Sequence, residues 1–474
     1  MTDALVHWLT AGQEALEAAA YPAAIEAFSK ARDALPTEVT LALTLANAYR
    51  LSGNLTETRQ TLERAHREGR WTDAETAHAL GAALLEAGAP REAVDCFSLV
   101  TKQRPDDPAA LGALAGARRA VGQPDVAWPL IEKATAKARN NPALLLTAAQ
   151  IRHDLRDLTG ALRWLDRAEA IRPGHGPTRV QRAYTSLLKQ TSAAGWALFE
   201  SRPLPEPKTR ARAWQGEPLD GASILVTAEQ GVGDQFQFAR FIPMLTARGP
   251  ARIVVECHAD AVSLFTASGF EAVPRGAPPE TDWHVPMMSL PFRLQTDVDV
   301  AGGAVPYLRA PAGLHVPLPA ARSAGVRRLG LVWAGNPAFS GRVTRDLDAS
   351  LLPEILDIPG VEWVALQHGD DSTTRDPRLT RLAPPRDWAA TAATLAALDG
   401  LVTTDTGIAH LAGAMGVRTW VMLQHVPDWR WGLEGDTSPW YPSMTLLRPA
   451  RWNDWRRVVE RLRHALTDGT ASPG

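Results

Sequence analysis

Three short stretches of the chain gather residue types that can do chemistry. In AEQGVGDQFQFARFIP (228–243), Gly231 and Gly233 make a tight turn, and Asp234 opens a helix that carries Gln237 and Arg240. A carboxylate at a helix N-terminus is kept ionised by the dipole, so Asp234 can accept a proton at neutral pH as a general base. The same residue also fits the plain role of an N-cap. In TTDTGIAHLAGAMG (403–416), Asp405, Thr406 and Gly407 mark a second strand-to-helix turn. The free N–H groups of Thr406, Gly407 and Ile408 form an anion site there, Gly407 lets the chain approach a phosphate closely, and His410 falls one turn further on. The competing reading is a capped helix with a buried, satisfied histidine. In WAGNPAFSGRVTRDL (333–347), a loop places Asn336, Pro337, Arg342 and Arg345 after a strand. An arginine in that position suits a bidentate clamp on phosphate oxygens, or is a solvated loop charge.

These turns need strands to hold them. The β-rich runs are SILVTA (223–228), RIVVEC (252–257), LGLVWA (329–334), VEWVAL (361–366), LVTT (401–404) and TWVML (419–423). Near-continuous apolar strands alternating with helical stretches indicate parallel sheets covered on both faces. A Pro- and Ala-rich stretch at 305–325 divides the runs into two groups, which predicts two Rossmann-like halves with a cleft at the C-terminal ends of their strands. Ahead of them, residues 203–221 hold Pro203, Pro205 and Pro207, a stiff extended linker.

The N-terminal part repeats. Trp8, Ala11, Gly12, Tyr21, Ala24, Phe28, Ala31 and Pro36 fall at the spacing of the 34-residue tetratricopeptide pattern. Gly81, Ala93, Phe97 and Pro105, and then Ala161, Ala168 and Pro173, repeat it in register, with weaker copies between and a partial capping unit from Ala183 to Phe199. Small residues allow close helix approach, Tyr21 and Phe28 fill the seam, and the prolines stop the second helices. The expected division is a repeat domain over 1–202, a linker over 203–221, a first Rossmann-like domain over 222–325 and a second, with a final helix, over 326–474. A repeat solenoid of this kind predicts a concave surface for a protein or peptide.

The 474 residues require more than one core. With 50 basic against 52 acidic residues, the chain has no basic excess for nucleic acid. Its N-terminus lacks the form of a signal peptide, and no run is apolar enough to span a membrane. Cys96 and Cys257 fall in different segments and suit a reducing compartment. The expected location is the cytoplasm.

Taken together, GxGD followed by Gln and Arg, then GLVWAGNP, VALQHG, DTGIAHLAG, VPDWRW and SPWYP resemble the bacterial tetratricopeptide-repeat glycosyltransferases, which are related to heptosyltransferases and to O-GlcNAc transferase. The resemblance covers the whole chain and implies a repeat solenoid followed by a GT-B fold, in which the second Rossmann domain binds the donor and the first the acceptor. It implies that Asp234 is the catalytic base, that Thr406, Gly407 and Ile408, with Asp405, form the turn holding the donor diphosphate, and that His410 stands beside it. Arg345 and Asn336 fall to the phosphate side, and Gln367 and His368 to the nucleoside. Many relatives have Gln-Lys at that last position, so His368 departs from the pattern. Gln230, Gln237, Asp428, Trp429, Trp431, Trp440 and Tyr441 are assigned to the substrate cleft. The implied reaction is an inverting, metal-independent transfer from a nucleotide-sugar, with no further cofactor. The repeats point to a polypeptide acceptor, and flagellin-modifying transferases share the layout. A glycan or lipid acceptor, and an inactive scaffold that binds only a protein partner, are the alternatives.

Overall fold

The computed structural model describes residues 3–189, 192–296, 305–318, 325–335, 342–367 and 376–467. Its contacts divide the chain into two compact units. Met1–Pro173 fall in one, and Gly174–Asn336 with Arg345–Gly474 in the other.

The first unit is an all-helical tetratricopeptide-type solenoid. Its helices pair as α1 (Asp3–Glu17) with α2 (Tyr21–Ala34), α3 (Val39–Leu51) with α4 (Leu55–Glu68), α5 (Ala74–Glu86) with α6 (Pro90–Gln103), α7 (Pro108–Ala120) with α8 (Pro124–Lys137) and α9 (Pro142–Asp154) with α10 (Leu158–Ile171). From Ala74 to Pro108, and from Pro108 to Pro142, the step is 34 residues. Where Gly12 stands, an added Cβ would lie 2.6 Å from the Phe28 ring, so the glycine is what lets α1 close on α2. Pro36, Pro105 and Pro173 each sit two residues past the end of a second helix, where the ladder has no further use for an N–H. Buried apolar residues of successive hairpins, such as Leu62, Ala93, Phe97 and Leu114, pack together into shared clusters.

The second unit contains two parallel sheets. In the first, β1 (Arg212–Ala213), β2 (Ser223–Thr227), β3 (Arg252–Cys257), β4 (Glu271–Pro274) and β5 (Trp283–Pro286) lie in the order β1-β5-β2-β3-β4. In the second, β6 (Arg327–Val332), β7 (Val361–Ala365), β8 (Leu379–Arg381), β9 (Gly400–Thr404), β10 (Thr419–Met422) and β11 (Met444–Leu447) lie in the order β11-β10-β9-β6-β7-β8. Counted from β6, that is the 3-2-1-4-5-6 order of a doubly wound sheet, whose direction reverses between β6 and β9. The amphipathic helix Trp455–Thr467 completes the second sheet's core through Val458, Val459, Leu462 and Leu466.

Two boundaries differ from the sequence expectation. The helices α11 (Gly176–Leu188) and α12 (Ser192–Phe199), expected to cap the solenoid within 1–202, belong to the α/β unit. The reason is packing: Trp196 stands edge-on against Phe238 and Trp429, and Arg202 pairs with Glu229 at the end of β2. The expected linker is not free chain throughout, because Arg212–Ala213 adds an edge strand to β5 and Trp214 is buried.

The Arg202–Glu229 pair is almost wholly enclosed, with side chains 1% and 2% exposed. Arg202 donates to both Glu229 oxygens at 2.7 and 2.8 Å, and the Met288 N–H donates to the same carboxylate at 2.9 Å. Removing one partner strands the other charge in the interior. Arg202→Met is therefore expected to destabilise the α/β unit by about 3–5 kcal/mol, read as a lower urea midpoint, and Arg202→Met/Glu229→Gln to recover part of the loss.

Candidate functional site

The two sequence turns meet. β2 runs through Glu229 and Gly231 into α13 (Val232–Phe238), and β9 runs through Asp405 and Thr406 into the helix Gly407–Ala414. A Cβ added at Gly233 would lie 2.9 Å from the Gly407 Cα and 3.2 Å from His410 Cδ2. The N-terminal turns of two helices, one from each sheet, are thus in direct contact, and no larger residue fits at Gly233.

Asp234 stands at the third position of α13. Its Oδ2 accepts from the Gly231 N–H at 3.0 Å, and its Oδ1 accepts from Arg430 Nη2. Asp234 is thus both a helix cap and a partly exposed carboxylate in a charged cluster. Burial pushes its carboxyl above the ordinary value; Arg430 and the Gly231 N–H oppose this, and Asp428 and Asp405 add to it. Arg430 lies in a single turn of helix, Trp429–Trp431, that Asp428 caps. Its Nη1 donates to Asp428 at 2.8 Å and its Nε to Gln237 Oε1.

At the second turn, Thr406 occupies the N-cap with φ −140° and ψ 170°. Its hydroxyl lies 3.3 Å from the Thr404 carbonyl and 3.1 Å from the Thr403 hydroxyl, and it does not cap the helix. The side chain therefore leaves the first N–H groups of the helix, at Gly407 and Ile408, for another acceptor. Arg345 reaches this turn from the β6 side: it donates to the Asp405 carbonyl and lies 3.7 Å from the Asp405 carboxylate.

His410 is buried, stacked on Trp431 with centroids 5.2 Å apart, and its Nδ1 shares a hydrogen bond with the Tyr441 hydroxyl at 3.0 Å. Burial and the nearby Arg430, Arg345 and Arg240 depress its pKa to about 3, against a smaller opposing effect of Asp428. The imidazole is neutral at physiological pH and acts through hydrogen bonding and shape, not charge.

Several expected cleft residues are placed elsewhere. Gln367 holds backbone: its Oε1 accepts from the Trp333 and Ala334 N–H groups at 3.1 and 3.0 Å, and its Nε2 donates to the Ala334 carbonyl at 2.9 Å. It fixes the exit of β6. Gln237 is fully buried, and Gln230 is exposed with its carbonyl 3.3 Å from His258 Nε2. Trp429, Trp431, Trp440 and Tyr441 are core side chains. Trp429 packs edge-on against Trp196 and Trp440, Tyr441 packs on His410, and little ring surface remains for a sugar. Asn336 and His368 lie outside the described residues.

The structure also gives roles to residues that the sequence left without one. Arg430 is the hub of the cluster. Arg240 donates to the Trp440 carbonyl and is ringed by Tyr307, Trp440 and Tyr441. Tyr184 of α11 is close enough for the charges of Asp428, Arg430 and Asp234 to act on its hydroxyl, whose pKa burial raises. The available signal for Arg430 was a lone charge flanked by two tryptophans in PDWRW, a placement that calls for a carboxylate partner. Among the described residues, no helix is long and apolar enough to cross a membrane, and no group of three or more His, Cys, Asp or Glu residues is placed to hold a metal ion.

No family model matches the chain. It is similar to Protein FlbA of Caulobacter vibrioides, at 24% identity over 497 aligned positions that cover 95% of this chain and 82% of that protein. Among solved structures, it is similar to a tetratricopeptide repeat protein from Parabacteroides merdae (14% identity, 44% of this chain, 82% of that one, TM-score 0.37). MamA (18%, 36% and 93%, TM-score 0.31) and YrrB, described as a TPR protein with an unusual peptide-binding site (18%, 36% and 88%, TM-score 0.30), are likewise similar.

The contact at Gly233 makes a paired prediction. Gly233→Ala drives a Cβ into backbone and is expected to cost about 1–3 kcal/mol of stability. At Gly407 an added Cβ meets nothing closer than 3.5 Å, so Gly407→Ala, at the first position of a helix, is expected to be neutral or to stabilise by at most ~1 kcal/mol. Thermal unfolding of the two variants side by side checks this; equal losses would contradict it. For His410, the imidazole NMR shifts are expected to stay flat from about pH 5 to 8, the range in which an ordinary histidine titrates.

Proposed function

We propose that the chain is a glycosyltransferase of GT-B architecture that moves a sugar from a nucleotide-sugar to a hydroxyl of a protein acceptor. The observation that carries this reading is the meeting of the Asp234 turn with the Thr406–Gly407–Ile408 turn, one from each Rossmann-like sheet, beside Arg345. Ligands of doubly wound sheets bind at the carboxyl ends of the strands, and both turns stand there. The resemblance of the motifs assigns the same residues to base and diphosphate.

In the reaction, Asp234 takes the acceptor's O–H proton. The acceptor oxygen forms its bond to the anomeric carbon, and the bond from that carbon to the phosphate oxygen breaks on the opposite face, which inverts the centre. The electron pair leaves on the phosphate. The N–H groups of the Gly407 helix and the Arg345 guanidinium take that charge in this reading, as fixed dipoles do for other oxyanions. His410, being neutral, contributes a hydrogen bond and no charge. The solenoid supports a polypeptide as acceptor, since stacked helical repeats offer an extended surface for chain binding; flagellin is the candidate that the shared layout suggests.

Titration calorimetry with UDP-, CMP- and GDP-sugars tests the donor half, with one of them expected to bind. Absence of binding by all would favour a scaffold. With the binding donor, Asp234→Asn is expected to lower transfer by about 10²–10⁴-fold while leaving donor affinity nearly unchanged. Unimpaired transfer would reject Asp234 as the base.

A further inference from the structure

The base and its main partner come from opposite halves of the α/β unit. Asp234 stands on α13, after β2 of the first sheet; Arg430 stands in the turn between β10 and β11 of the second. All three guanidinium nitrogens of Arg430 are engaged: Nη2 with Asp234, Nε with Gln237, also on α13, and Nη1 with Asp428. Its side chain is 9% exposed and lies over the Trp429 ring at 4.5 Å, so it has little freedom to swing away. A planar donor fork gripped on three sides fixes direction as well as charge.

We propose that Arg430 is the positioning residue of the Asp234 base, supplied across the junction of the two halves, so that an aimed carboxylate exists only when the second half is seated on the first.

The charges facing Asp234 explain why such a residue is needed. Asp428 comes from the Trp429 turn and Asp405 from the end of β9, both carboxylates; α11 adds the Tyr184 hydroxyl, and the first sheet adds only the Gly231 N–H. Seating the halves thus removes water from Asp234 and brings two like charges toward it. Burial and the like charges both favour the protonated carboxyl, and the Arg430 guanidinium opposes them. Arg430 offsets both effects in the same movement that causes them, and its bonds to Gln237 and Asp234 fix the carboxylate against one face of α13. The proposal rests on the glycosyltransferase reading for its chemistry, but the Arg430–Asp234 contact can be measured without any turnover.

The full-length protein is labelled with carboxyl-13C aspartate, the Asp234 signal is assigned by its loss in Asp234→Asn, and its titration is followed in wild type, Arg430→Met, Arg430→Lys and Asp428→Asn. In Arg430→Met the Asp234 midpoint is expected to move to higher pH, and in Asp428→Asn, which removes a like charge, to lower pH. Arg430→Lys keeps the charge and is expected to restore most of the midpoint. In transfer assays with the binding donor, the acid limb of the pH profile is expected to follow the same order. Both Arg430 variants should lose kcat, Arg430→Met by about 10²-fold, with little change in donor affinity. Recovery in Arg430→Lys of the midpoint but not of kcat would identify aim as the larger contribution. An Asp234 midpoint that is the same in wild type and Arg430→Met overturns the proposal, and so does an Asp428→Asn shift in the same direction as Arg430→Met. Should Arg430→Met fail to fold, Arg430→Lys and Asp428→Asn still carry the test. A failure of every donor to bind would reject the transferase reading and leave the titration result standing on its own.

Discussion

Two strand-to-helix turns, one from each sheet of the α/β unit, approach so closely that a methyl group on Gly233 would meet the Gly407 backbone. The rest of the unit is arranged around that contact. Both turns present the positive end of a helix, and two such ends facing each other repel unless negative charge lies near them. Asp234, Asp405 and Asp428 supply it, with Arg430 and Arg345 paired among them. The result is a packed junction in which acidic and basic side chains pair across the two sheets' turns. Asp234 is pushed up by burial and held back by Arg430, while His410 is stripped of its proton by burial and by three arginines.

Around this junction, aromatic side chains act as structure. Trp429, Trp440, Phe238 and Trp196 form one contiguous cluster that joins α12 to both sheets' turns. Buried Trp surface of this kind holds the loops rigid, and rigid loops let a carboxylate and an arginine keep a fixed geometry. The buried Arg202–Glu229 pair does the same at the end of β2, immediately before the Asp234 turn. The solenoid has a different physics: each hairpin is stabilised by its neighbours, and its chemistry is limited to the surface it presents.

Much of this was legible in the sequence. The 34-residue period, the glycine–phenylalanine seam of Gly12 and Phe28 and the terminating prolines define the hairpins directly. Six apolar runs gave six strands. The strands that were not legible are short: RA has two residues and LTR three, EAVP and WHVP close on proline, and MTLL is indistinguishable from a helix segment. The solenoid ends earlier than its helical pattern suggests, because Trp196 and Phe199 continue that pattern locally while their partners lie in the α/β unit. At the site, local sequence identified the two turns, since glycines and a capping acid leave a local mark. It did not reveal that Gln367 holds backbone, that the aromatic motifs are core, or that Arg430 belongs to Asp234, because those facts depend on pairs separated by tens to hundreds of residues.

The proposed transfer requires the Thr406–Gly407–Ile408 turn to receive the donor phosphate. Hydrogen–deuterium exchange of the full chain, with and without UDP, GDP and CMP, tests it at the level of the backbone. One nucleotide is expected to slow exchange in peptides spanning 403–414, with a smaller effect at the Asp234 turn opposite. Binding of a nucleotide that leaves 403–414 unprotected, or protection confined to the repeat hairpins, would contradict it.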